Sequence, residues 1–68
     1  MIMAAAGKDV EINVTLTDAQ AWELAQFLKR VCFSDYRGHA TSDEEAYQMI
    51  DAGERIRSAL ADQGYAPR

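Results

Sequence analysis

The chain is short of the residues that usually carry chemistry or bracing. It has one cysteine, one histidine, one tryptophan and one proline in 68 residues. A single cysteine excludes a disulfide within one chain. Cys32 and His39 alone are too few for a structural zinc site, which wants four ligands, mostly Cys or His. These scarcities lead to an expectation of no metal and no cofactor. No stretch approaches the roughly 20 apolar residues of a membrane span. The apolar start, Met1 to Ala6, lacks the basic residues and apolar length of a secretory signal. One unpaired thiol suits a reducing compartment, so the expected location is the cytoplasm.

Basic residues are the next scarcity. From Gly38 to Glu54 there are five acidic residues and no Lys or Arg, and the run from Asp9 to Leu28 is also free of bases. The formal net charge is −4. Nonspecific binding to nucleic acid or anionic membrane needs clustered cations, so neither is favoured as a partner. A basic protein surface is. At this length a chain buries only about 60% of its unfolded surface, and small domains often gain stability by oligomerising.

Two regions are distinguished. Residues 1–9 read as an arm or weak strand. Residues 10–68 read as one domain. In it, Val10, Ile12, Val14 and Leu16 alternate with Glu11, Asn13 and Thr15, the period of a strand with one wet face. A lone strand leaves its backbone groups unpaired, so residues 10–16 are expected to pair with the N-terminal arm, with a copy of themselves in a homodimer, or with a partner. A structural dimer module is one alternative reading of the chain.

Thr17-Asp18-Ala19-Gln20 has the form of a capping box. It opens a helix over about residues 18–32, with Ala21, Leu24, Ala25, Leu28, Val31 and Cys32 on one face. Cys32 is thereby expected to be buried and inert. Residues 33–41 read as a loop anchored by Phe33 and Tyr36. Ser42-Asp43-Glu44-Glu45 is a second capping box, starting a helix over about residues 43–63. Its inner face is Ala46, Met49, Ile50, Gly53, Ile56 and Leu60, with Gly53 allowing close approach to the first helix. Gly64 suits the left-handed position after the helix, with Tyr65 covering Leu60. The expected fold is therefore a small α/β domain, a strand followed by two antiparallel helices.

Ser34, Asp35 and His39 are the residue types of a hydrolase triad, but they crowd into one short loop. Triad members normally come from separate elements, so no catalytic residue is assigned and the chain is expected not to be an enzyme. The strongest functional feature is a ridge on the second helix: Glu44, Asp51, Glu54 and Asp62, with Tyr47 among them. Residues seven apart on a helix are about 10 Å apart and residues three apart about 5 Å, so such a ridge can stand in for a phosphate backbone. Tyrosine adds the contact area that interfaces favour.

Two resemblances accompany this reading. The run EINVTLTDAQAWELAQFLKRV, strand into capped helix, resembles the start of ribbon–helix–helix repressors. That resemblance implies strand-paired dimers whose outward residues, here Asn13 and Thr15, read DNA; Glu11 and the lack of cations on the strand depart from it. From about residue 10 onward, especially in LTDAQAWELAQFLKRVCFSDYR and DEEAYQMIDAGERIRSALADQGYAPR, the chain also resembles small proteins of proteobacterial prophages and integrative elements. Anti-CRISPR proteins belong to that setting. The resemblance implies a stoichiometric inhibitor, acting in a bacterial host cell, that sets its acids against the basic channel of a host defence effector complex.

Overall fold

The computed structural model describes residues 9–68. Among these residues every regular element is a helix: α1, Asp18–Arg30; α2, Phe33–Gly38; and α3, Asp43–Asp62. Helices α1 and α2 both pack on α3. The expected α/β fold is thus corrected to an all-helical one. The weak strand expected within residues 1–9 lies almost wholly outside the described residues.

The correction has a plain physical cause. Residues 10–16 alternate as a strand does, but a strand exists only in a ladder, and no neighbouring segment among the described residues completes one. Val10, Ile12 and Val14 are 73%, 75% and 65% exposed. Period two specifies which side of an extended segment is apolar; it does not supply a partner.

Helix α1 begins where the capping chemistry demands. Thr17 Oγ1 accepts from the Gln20 amide at 3.1 Å, and the Thr17 amide donates to Gln20 Oε1 at 3.0 Å. Asp18 lies at the positive end of the helix and Lys29 and Arg30 at the negative end. The helix stops at Arg30, earlier than expected, because Val31 turns extended at ψ 132°.

Cys32 consequently leaves the apolar face and becomes the residue that starts α2. It is exposed, not buried. Its amide donates to Asp35 Oδ2 at 3.0 Å, and its thiol lies 3.3 Å from the same oxygen. The segment expected to be loop is therefore partly helical. Arg37 fastens its far end, donating to Asp43 Oδ1 at 2.7 Å and to the Ala40 carbonyl at 3.0 Å.

Helix α3 starts with half of the expected box. Ser42 Oγ accepts from the Glu45 amide at 3.1 Å. The Glu45 carboxylate passes over Ser42 and accepts instead from the Thr41 amide and hydroxyl, at 3.0 and 3.1 Å. At the other end Gly64 is left-handed at φ 98°. The Tyr65 amide donates back to the Leu60 carbonyl at 2.9 Å, closing the Schellman turn. The Tyr65 ring, however, packs edge-on against Trp22 of α1, 5.1 Å between centroids. Its hydroxyl donates to Asp18 Oδ1 at 2.6 Å. The two ends of the helical body are tied together there.

Among the described residues the core is small and made mainly of alanine. Ala21, Ala25 and Leu28 of α1 and Ala46 of α3 are the buried hydrophobic residues. Alanine lets helix backbones approach closely but buries little apolar area. Ile56, expected on the inner face, is 44% exposed, while Arg57 is half-buried. Gly53 faces Tyr36 of α2 as well as Leu28 of α1, so the close approach it permits involves both helices.

Candidate interaction surface on the third helix

The ridge residues lie on one side of α3. At 3.6 residues per turn, Glu44, Tyr47, Asp51, Glu54 and Asp62 fall within an arc of about 80°. All five are exposed, Tyr47 by 57%. From Glu44 to Asp62 the stripe runs about 27 Å. Ala46 anchors the opposite side in the core.

The stripe is not uniform. Glu54 has Arg57 as an ion-pair partner at 3.6 Å, a long contact between solvent-accessible side chains that offsets little charge. Exposed Arg55 projects at the edge of the arc, one turn after Asp51, by helical spacing. The C-terminal half is thereby diluted. The N-terminal half, Glu44–Tyr47–Asp51, holds no base, and neither acid has an ion-pair partner among the described residues.

Phe33 joins this half from α2. Its ring sits 5.6 Å from that of Tyr47, tilted at 42°. Phe33 itself remains 44% exposed. Sequence reasoning assigns Phe33 to anchor a loop to the core and so misses it as a surface residue. The only signal in the sequence is an aromatic just after a helix end, which does not say where the ring points.

The polar residues of the α1–α2 corner have structural work. Asp35 is held below the usual carboxylate range, first by the Cys32 amide, then by the Cys32 thiol, with His39 adding attraction. Ser34 Oγ lies 3.2 Å from Cys32 Sγ. This is the hydrogen-bonding of a helix start. Between α1 and α2 lies an open cleft of about 560 Å³, lined by Phe27, Val31, Tyr36 and Met49 with Glu23, Arg30 and Asp35. Its charges are mixed and select no ligand class. No group of three or more His, Cys, Asp or Glu residues that could hold a metal occurs among the described residues. No helix there is long and apolar enough to cross a membrane.

Comparison with known proteins places the whole chain, residues 1–68, in one family. The chain belongs to a family of unknown function (DUF7706). No curated protein and no solved structure matches it. Family membership assigns neither a reaction nor a partner.

Proposed function

We propose that this chain is a non-catalytic protein-binding inhibitor that presents the acidic side of α3 to a basic protein surface. The observation behind this reading is the exposed stripe of Glu44, Tyr47, Asp51, Glu54 and Asp62 on one helix face. A partner that ordinarily holds nucleic acid offers the complementary field, because such channels are lined by Lys and Arg. In this reading the protein works in the cytoplasm of a bacterial host, and a defence effector complex is the kind of target it suits. The net charge of −4 supports a protein partner over DNA. Glu11 between Val10 and Ile12 makes a DNA-facing role for Asn13 and Thr15 unfavourable beside phosphates.

The test is charge reversal with competition. The immobilised chain is compared with Asp51→Lys/Glu54→Lys for capture of basic proteins from host extract, with and without added duplex DNA. The reading expects capture that the double variant loses and that DNA displaces. Capture that survives both changes sinks it. The two sites are exposed, so the variant should keep its thermal stability within about 0.5 kcal/mol.

A further inference from the structure

The Phe33–Tyr47 pair joins α2 to α3 yet stays open to solvent. Its rings are 44% and 57% exposed, although a small domain gains most by burying its aromatics. The pair belongs to two different helices, so its position is fixed by the docking of α2 on α3 and not by one flexible side chain. Glu44 stands one turn before Tyr47 and Asp51 one turn after it on the same side of α3. The surface therefore offers aromatic rings bracketed by carboxylates, with no base between Glu44 and Asp51.

We propose that this pair is a receptor for an arginine side chain of the partner, in preference to a lysine. The inference rests on the reading of α3 as a surface for a basic partner and names the group it receives. A guanidinium is planar and weakly hydrated, so it stacks on aromatic rings while its edge donates to carboxylates. An ammonium is compact and strongly hydrated, and gains less from the same rings. The carboxylates attract either cation; the rings discriminate. Apolar partners are disfavoured because Glu44 and Asp51 would lose water without a counter-charge.

The test uses the intact chain and two peptides of equal length and charge, one of arginine and one of lysine, titrated by calorimetry or by shifts of the ring resonances. At an exposed site a cation–ring contact is modest, so the arginine peptide is expected to bind about two- to fivefold tighter. Tyr47→Phe keeps both rings and should keep the preference. Phe33→Leu and Tyr47→Leu should abolish it, lowering binding of the arginine peptide to that of the lysine peptide. Asp51→Lys should weaken both peptides. Equal binding of the two peptides by the unaltered chain overturns the arginine assignment and leaves the acidic-surface reading standing. A preference that persists in both leucine variants overturns it equally. Failure of both peptides to bind removes both readings. Helical circular dichroism checks that each variant folds, and Tyr47→Phe serves as the ring-preserving control.

Discussion

Replacing Gly53 with alanine tests how the three helices meet. Gly53 lies in the interior of α3, where alanine is favoured by about 1 kcal/mol on backbone grounds alone. If nothing opposed the new methyl group, the variant would be more stable. In this fold the methyl would run into the Tyr36 hydroxyl, with Tyr36 Cζ at 3.3 Å and Leu28 Cδ2 at 3.6 Å. The hydroxyl is buried and has no hydrogen-bond partner among the described residues, so admitting the methyl means shifting the Tyr36 ring or α2 with it. Overpacking of this kind costs about 1–3 kcal/mol. Set against the backbone gain, the expected result is a net loss of about 1 kcal/mol. For a chain this size that is a fall in Tm of about 4–8 °C.

A second substitution separates the clash from other causes. Tyr36→Phe removes the oxygen nearest the new methyl, and that oxygen is itself an unsatisfied buried group costing about 1–3 kcal/mol. Tyr36→Phe alone should therefore raise Tm. In its background Gly53→Ala should cost less, with a coupling of about 0.5 kcal/mol or more, as for residues in contact. Thermal or urea unfolding of the four chains measures all of this. A rise in Tm for Gly53→Ala alone, or strict additivity in the double variant, would refute the docking of α2 against α3 through Tyr36.

Two further expectations concern the ends of the chain. The Tyr65 phenol is raised above its ordinary value, chiefly because it donates to Asp18, then by burial and by the Asp18 charge. A group with a raised folded pKa contributes stability that is complete below its unfolded value, about 10, and is lost as pH rises through the folded value. Unfolding followed upward from about pH 8 should hold steady to about pH 10 and then decline, and Tyr65→Phe should remove part of that decline; an identical decline in that variant refutes the link. The second expectation is self-association through residues 10–16, motivated by Val10, Ile12 and Val14 standing 65–75% exposed. Amide exchange in that segment should slow as protein concentration rises, and exchange independent of concentration argues that copies do not meet there.

Local chemistry is legible in the sequence; what depends on a neighbour is not. Thr17 and Gln20 cap α1 with their own atoms, and Gly64 turns the chain by its own φ. Each needs only residues three or four apart, so spacing alone reveals it. The alternation over residues 10–16 needs a second segment to become a strand, and α2 needs a surface to lie on. Six residues are too few to hold a helix in isolation. Phe33–Gly38 is helical because Tyr36 rests on Gly53 and Arg37 reaches Asp43, contacts that no periodicity within the segment encodes.

The same division explains the candidate surface. Glu44, Asp51 and Asp62 share a side of α3 by spacing alone, so the order of residues is enough to reveal the ridge. Its better half takes more than spacing. Arg55 and Arg57 thin the charge toward the C-terminal end, whereas Phe33 arrives at the N-terminal end only through the docking of α2. A core of alanines cannot enclose rings of that size, which leaves both Phe33 and Tyr47 partly open to solvent. The weak core and the exposed aromatic pair then have one origin: helices held close by small residues gain contact between backbones and leave their large side chains at the rim. A partner cation stacked there would bury area that the fold itself leaves uncovered. Binding should therefore raise the stability of α2 as well as occupy the ridge.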